Sequence, residues 1–548
     1  MKIIIDAMGG DNAPLEIVKG ALLGMEHWGV EVLLTGDTEA ILRALRDCGH
    51  DTIPHGMEIV HTTETVDMCD DPSKVFRHKK DTSMGVGLTL LRDGKADALV
   101  SAGSTGALLA GATLITKRIR GIRRAAMAPV IPTTGGRAVL IDCGANAECT
   151  PEYLDLWARR KGIHLIGSGD FTHPAWREEL KEKLKPAEDG FYVLKKEYRI
   201  QDGNTRDHMI PRFVITGEIS SIYKKYDKVR KVHSLLILPG LKDAENLSEK
   251  LEVIGNLHSD GRPILGLDCR DLLEIMLETT PDGMYVPAHI WTPHFSMFGA
   301  FSGFDTVEEC FGDLSSHIHA VETGLSSDPP MNWRVSMLDR FQLISNSDAH
   351  SPAKLGREAT LLDIDWSYEG LRGAIQNGNG LAGTIEFFPE EGKYHMDGHR
   401  KCNLCLTPIE TETYQGKCPV CGRKITIGVS HRIEQLADRA EGFVKEGANG
   451  FESLVPLPEV ISACVGVSSR SKKVQKEYEQ MLRMIGPEFE ILRTVPLEEI
   501  RQKSGFLIAE GIERLRNGEV ERIPGFDGEY GTIKLFQPYE LEEVDRQR

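Results

Sequence analysis

Short apolar runs that stop at a glycine, an acid or a histidine, and then give way to helical stretches, recur along most of this chain. That rhythm constrains the fold more than any other feature. In the first 150 residues KIIIDAM, EVLLTGD, ADALVSAG and RAVLIDCGAN read as buried strands ending in glycine-containing loops. Near-continuous apolar strands alternating with helices are the pattern of a parallel sheet covered on both faces. The loops MGGD (8–11), SAGSTG (101–106) and CGAN (143–146) then lie at carboxyl ends of strands, where open α/β sheets bind ligands. Gly9, Gly10, Gly103, Ser104, Thr105 and Gly106 are candidate phosphate-binding positions, because SAGSTG runs into the helical stretch ALLAGATLI and a helix N-terminus can hold an anion. Tight strand–helix turns use the same residues for steric reasons alone.

Past residue 155 the strand ends change character. IHLIGSGDFTHPAW (163–176), FVITGEISSIY (213–223), HSLLILPG (233–240), YVPAHIWTPHF (285–295) and FQLISNSDAHS (341–351) finish in acids and histidines, with helical WREELKEKL and RDLLEIMLE between them. Chemistry on strand ends with helices outside is the pattern of a β/α barrel. Asp170, His173, Glu218, His233, His289, Asp348 and His350, with His294 nearby, are the candidate metal ligands. Carboxylate oxygen and imidazole nitrogen together suit Zn, Mn or Fe, and a carboxylate such as Glu218 can bridge two ions. A single histidine at such a place is more often a satisfied buried side chain. Seven such groups at successive strand ends point to a metal centre. The one His-x-His, His317-Ile318-His319, sits in DLSSHIHAVETG, which reads as helical and would send the two rings to different sides.

Residues 402–421, CNLCLTPIETETYQGKCPVC, hold two Cys-x-x-Cys knuckles. Four thiolates from Cys402, Cys405, Cys418 and Cys421 would close a tetrahedral structural Zn2+ site. Its flanks His399, Arg400, Lys401, Lys417, Arg423 and Lys424 are basic and suited to a DNA backbone, while KYHMDGH (393–399) suits either a turn packed on the ribbon or a function. From 429 onward the tail patterns as helices (HRIEQLADRAEGFV, SKKVQKEYEQMLRMIG, LEEIRQKSGFLIAEGIERLRNG) and ends in a hairpin with its turn at DG in GFDGEYGTIKLF. The formal charge of −17 argues against non-specific coating of nucleic acid. It leaves room for local basic strips; YKKYDKVRKVH (223–233) and SSRSKKVQK (468–476) are two, each also readable as a solvated helix face. The longest apolar stretch, TGALLAGATLIT, is too short to span a bilayer. The scattered remaining cysteines and the early Asp6 fit a reducing, cytoplasmic setting.

Two resemblances follow from longer motifs. DAMGGDNAP, RHKKDTSM (77–84), SAGSTGALLAGA (101–112), RAAMAPVIPT (124–133) and DCGANAE (142–148), in that order, resemble the phosphate acyltransferase of bacterial phospholipid synthesis. That likeness covers about the first half of the enzyme and implies a partial α/β/α sheet, with acyl carrier protein and phosphate as partners. GSGDFTHPAWREELKEKL, VETGLSSDPPMNWR (321–334), SNSDAHSPAKLGREAT (346–359) and EEGKYHMDGHRKCNLC (390–405) resemble endonuclease Q, of the polymerase-and-histidinol-phosphatase (PHP) superfamily. This second likeness implies a distorted β/α barrel holding two or three divalent ions (Zn2+, Mn2+ or Mg2+). It also implies cleavage of DNA on the 5′ side of deaminated bases or abasic sites.

Carried over, Glu218 bridges two ions, His233 and His289 complete the second site, Asp348 joins the first, and His173 and His350 hold the third. Asp170 ligates or orients a ligand, and Glu218, Asp170 and Asp348 are the implied catalytic residues. The superfamily's opening His-x-His strand has no counterpart before Asp170. The two resemblances meet near TPEYLDLWARRKG, which we read as a fusion or misassembled reading frame. The expected organisation is a partial acyltransferase-like α/β domain (1–155), a PHP-type phosphoesterase domain (156–398), a zinc ribbon (399–428) and a helical C-terminal domain (429–548). A metal-dependent endonuclease is the leading expectation. An acyltransferase and a catalytically dead DNA-binding fusion are the alternatives, and the oligomeric state is open.

Overall fold

The computed structural model describes residues 1–10, 12–67, 75–117, 130–133, 136–139, 150–204, 209–258 and 261–541. The chain forms two compact units, Met1–Glu148 and Cys149–Arg548. Of the sequence motifs, Asp11 of MGGD, residues 124–129 of RAAMAPVIPT, CGAN and DCGANAE lie outside the described residues.

In the first unit β1 (Lys2–Asp6), β2 (Glu31–Gly36), β3 (Met57–His61) and β4 (Ala98–Val100) form an all-parallel sheet in the order β3-β2-β1-β4. Helices Leu15–Trp28 and Thr38–Asp47 bury Val18, Ala21, Ile41, Ala44 and Leu45 against Val32 and Leu34. Each fully buried aliphatic side chain contributes about 1.5–3 kcal/mol. Helix starts are fixed by caps: Asp37 accepts from the Ala40 N–H at 2.7 Å and Thr82 from that of Gly85 at 3.1 Å. The expected strand RAVLIDCGAN departs from its reading. β5 (Val130–Thr133) and β6 (Gly136–Val139) pair antiparallel with each other, outside the four-stranded sheet.

The second unit is a mixed α/β structure. β7 (Leu165–Gly167), β8 (Leu184–Pro186), β9 (Tyr192–Leu194), β10 (Arg212–Lys225), β11 (Lys228–Leu238), β12 (Ile264–Leu265) and β13 (Met284–Pro287) form one sheet. β10 is its spine, antiparallel to β11 and parallel to β7 and β12. The basic strip 223–233 is thus a hairpin and not a helix face. Tyr226 and Asp227, at φ of 53° and 57°, make its turn, the conformation a two-residue hairpin loop requires. β14 (Ala320–Glu322) and β15 (Gln342–Ile344) pair in parallel, and β16 (Ala359–Leu362) and β17 (Leu381–Glu386) lead to a third sheet. The stretch DLSSHIHAVETG is therefore not one helix: a short 3-10 turn, Gly312–His317, precedes β14.

β18 (Asp397–His399) and β19 (Leu404–Leu406) form the ribbon, and β20 (Gly450–Ser453) joins β17. Helices Leu457–Val465, Lys472–Met484, Glu488–Arg493, Leu497–Ser504 and Phe506–Asn517 bury Leu457, Ile461, Tyr478, Ile491 and Ile512 in a common core. β21 (Glu521–Ile523) and β22 (Thr532–Lys534) close the expected terminal hairpin, with Asp527 and Gly528 left-handed at its tip.

Helix Pro151–Lys161, where the two resemblances meet, packs within this second unit. Lys161, 2% exposed, pairs at 2.7 Å with Glu488, 3% exposed. No helix among the described residues is long and apolar enough to cross a membrane.

Candidate metal centres

The barrel ligands converge because their strands are neighbours. Glu218 stands opposite Leu235 in the β10–β11 ladder, and His233 lies two positions from Leu235, so the two are diagonal neighbours on one face. His289 follows β13, the next strand over, and the Ala288 N–H donates to the His233 carbonyl at 3.0 Å. His233 Nδ1 lies 2.8 Å from Glu218 Oε1 and 3.1 Å from His289 Nε2, which is 3.4 Å from the same Glu218 oxygen. These three donor atoms all fall within 4.8 Å of one another.

The local backbone is shaped for this convergence. A Cβ on Gly217 would fall 2.6 Å from Phe171, so the glycine lets Phe171 pack onto β10 and brings the DFTH segment beside Glu218. A Cβ on Gly324 would fall 2.3 Å from the Cβ of His289. Asp170, His289 and Asp348 have φ of 41°, 32° and 42°. Left-handed non-glycine residues cost on the order of 1–3 kcal/mol each and cluster at functional sites.

Hydrogen bonding sets the His289 tautomer. The Thr292 hydroxyl lies 3.0 Å from the His294 carbonyl, to which it donates, and so accepts from His289 Nδ1 at 2.8 Å. That leaves the Nε2 lone pair facing Glu218, as a metal ligand requires. Burial alone would raise the Glu218 carboxyl, but the His233 and His289 rings packed against it outweigh burial and hold the group below the ordinary carboxylate range. Burial lowers His233; in His289 burial also acts downward, and the Glu218 carboxylate overcomes it to raise the group.

The remaining sequence candidates surround this trio without joining it. Asp170 is raised by burial against the opposing charge of Arg262, and senses Glu218, His173 and His350 nearby. The His350 Nδ1 bonds the Asp348 carbonyl at 2.9 Å. Among the described residues one barrel trio, Glu218, His233 and His289, gathers three ligand atoms. The donors present thus fit one divalent ion there. Among the described residues they do not gather a second or third group of three donors, where the resemblance implies two or three ions. His294 stacks on Phe301 at 4.6 Å and stands apart.

Two participants escaped the sequence reading. Glu322, at the end of β14, accepts from the His289 N–H at 2.8 Å and from Asn346 Nδ2 at 2.8 Å. Burial pushes its carboxyl up to about 7. Its signal was an acid closing an apolar strand, as in the other ligand segments. Arg262 reaches Glu218 from the loop before β12 at 2.6 Å, and a lone arginine after DG carries no pattern.

In the ribbon the expected four sulfurs do not meet. Cys402, Cys418 and Cys421 gather with His399 within 4.8 Å, and His399 Nδ1 is 3.8 Å from Cys421 Sγ. Cys405 is exposed and outside that group. Strand alternation is the reason: Leu404 and Leu406 on β19 turn into the apolar cluster with Cys418 and Ile425, which sends Cys405 to the other face. A Cys3His set would suit a closed, structural zinc shell, as the four-cysteine set would have done. His395 and Asp397 take structural partners, Asp397 accepting from the Gly428 N–H at 2.6 Å and pairing with His431.

In the first unit the MGGD and SAGSTG loops interlock. Asp6, 1% exposed, accepts from Ser101 Oγ at 2.7 Å, and Ser101 Oγ accepts from the Gly103 N–H at 3.1 Å. A Cβ on Gly9 would fall 2.6 Å from Asp6 Oδ2. The Ser104 hydroxyl caps helix Thr105–Gly111 through the Ala107 N–H. Gly9, Gly103 and Ser104 thus have steric and capping duties here.

Comparison with known proteins matches both halves. The "Fatty acid synthesis protein" family model matches residues 1–164, and the "MJ0043 C-terminal domain" model matches 456–519. A phosphate acyltransferase of Thermoanaerobacterium thermosaccharolyticum is 44% identical over 295 residues, covering 49% of this chain and 85% of that protein. Against the phosphate acyltransferase of Clostridioides difficile the match is 44% over 165 residues, and the chain spans about half of that relative's length (48%). The crystal structure of the lesion-specific endonuclease PfuEndoQ from Pyrococcus furiosus is 29% identical with a TM-score of 0.61, covering 72% of this chain and 94% of that one. Endonuclease Q in complex with a 27-mer duplex bearing an abasic lesion is 30% identical with a TM-score of 0.61, covering 72% and 92%. By its N-terminal residues the chain belongs to the phosphate acyltransferase family, and by its larger second part to that of endonuclease Q.

Proposed function

We propose that the second unit is a metal-dependent DNA endonuclease of the endonuclease Q type, hydrolysing a phosphodiester on the 5′ side of a deaminated base or abasic site. The convergence of Glu218, His233 and His289 on adjacent strands carries this reading. It is supported by the likeness to endonuclease Q over nine-tenths of that protein. Glu218, His233 and His289 would hold a divalent ion, which when bound would supply Lewis-acid polarisation of a phosphoryl oxygen and a more acidic water. The ionised Glu218 carboxylate keeps the donor set anionic, and Thr292 and Glu322 fix the His289 ring and backbone. Asp170 and Asp348 stand at the same mouth, bridged by Arg262, and burial raises the Asp170 carboxyl. A phosphate would be drawn to the Arg262 guanidinium beside them. The altered base must leave the stack to be read, and DNA containing deaminated bases is the proposed partner.

The test is incubation of the purified full chain with uracil-containing or abasic duplex and Mn2+ or Mg2+. Nicking 5′ to the lesion, absent in the undamaged duplex, is the expected result. Binding without nicking would favour a catalytically dead DNA-binding fusion. A second reading, acyl-phosphate synthesis by the first unit, is favoured by the alignment over 85% of one acyltransferase. Acyl-phosphate made from acyl–acyl carrier protein and inorganic phosphate would establish it. We also propose that the junction lies near residues 150–162, in a natural or misassembled fusion; an in-frame product amplified from source DNA would exclude misassembly.

A further inference from the structure

Arg262 lies on the donor atoms themselves. Its Nη1 is 2.6 Å from Glu218 Oε1 and 2.5 Å from His233 Nδ1. Its Nη2 is 3.6 Å from Asp348 Oδ1 and 3.5 Å from His350 Nε2. The guanidinium therefore spans the trio and the Asp348–His350 pair. It is held there by strand pairing: the Ser220 N–H donates to the Pro263 carbonyl at 2.9 Å, and β12 continues along β10 at Ser220 and Ser221.

A guanidinium has donors and no acceptor, so the short contact to His233 Nδ1 uses the ring's lone pair. The Glu218 oxygen it touches is the one shared with both histidines. A divalent ion would need those same two lone pairs. Guanidinium and ion cannot hold them together, by valence and by charge repulsion alike. We propose that Arg262 is an internal competitor for the ion site: ion uptake requires its guanidinium to leave Glu218 and His233, so Arg262 sets the site's affinity for divalent cations. This rests on the reading of Glu218, His233 and His289 as an ion site, and is independent of what the site cleaves.

Equilibrium dialysis of the full chain against Mn2+, with ion counting and the ribbon zinc subtracted, tests it. Removing a charged hydrogen-bonding competitor should tighten binding about tenfold or more in Arg262→Gln. Arg262→Lys, whose single ammonium cannot span both groups, should show a smaller gain. Equal or weaker Mn2+ affinity in both variants would overturn the proposal. So would a gain that survives addition of His233→Ala and His289→Ala, since the ion would then sit elsewhere. If wild type and both variants bind no Mn2+ beyond the ribbon, the ion-site reading fails and the competitor with it. Far-UV circular dichroism and retained ribbon zinc certify the fold of each variant.

Discussion

Lys161→Met is the sharpest probe of how the junction helix is built into the second unit. Lys161 and Glu488 are 2% and 3% exposed and 2.7 Å apart. Glu488 also accepts from the Leu457 N–H at 3.0 Å and the Tyr478 hydroxyl at 2.8 Å. Methionine fills most of the lysine's volume, so the cavity term is small. What remains is a buried carboxylate that has lost its cation, which costs about 3–5 kcal/mol. The second unit spans residues 149–548. At about 2.1 cal/mol/K of unfolding entropy per residue, a loss of about 4 kcal/mol over roughly 400 residues lowers Tm by about 5 °C.

Differential scanning calorimetry of the single variant, of Glu488→Gln and of the double variant closes the cycle. The double variant should recover most of the loss, because a neutral amide needs no counter-ion and can still serve Leu457 and Tyr478. A Lys161→Met variant melting with wild type would refute the reasoning. A double variant no better than the single would show that packing, and not charge, was lost.

Three further outcomes follow from the same geometry. Glu218→Gln should abolish lesion-dependent nicking and cut Mn2+ binding while leaving the circular dichroism spectrum unchanged; undiminished cleavage would refute its role as a ligand. In the ribbon, Cys402→Ser and His399→Ala should each lose zinc, measured by ion counting, whereas Cys405→Ser should keep it. Zinc loss in Cys405→Ser with retention in His399→Ala would restore the four-cysteine set.

Glu386, fully buried with Thr323 and Ser345 as partners, is pushed by burial up to about 7. A carboxyl raised in the folded state favours folding while protonated, and that contribution fades as pH climbs from its unfolded value near 4.5 through about 7. Glu386→Gln should therefore flatten the fall in unfolding free energy between pH 5 and 8, a fall on the order of 3 kcal/mol. An unchanged pH profile would place the titration elsewhere.

The sequence by itself determined whatever depends on neighbours along the chain. Apolar runs closed by glycine marked β1, β2 and β4, and amphipathic stretches such as WREELKEKL and RDLLEIMLE are the helices Pro174–Lys183 and Cys269–Thr279. The DG turn was legible for the same reason, since the left-handed conformation at Asp527 and Gly528 is a local preference. Longer helical readings were cut by single residues. LEEIRQKSGFLIAEGIERLRNG breaks at Gly505, at φ of 91°, and HRIEQLADRAEGFV ends at Leu436.

The tertiary structure alone decided which donors share a point in space. Glu218 and His233 meet through ladder register, His289 through the approach that Gly324 permits, and Arg262 and Glu322 arrive from segments far along the chain. Cys405 carries the right atom in the right motif, and strand alternation turns it away while His399 turns in. Spacing fixes what a residue can offer; only the packing of distant segments fixes whether another donor lies within ligand distance.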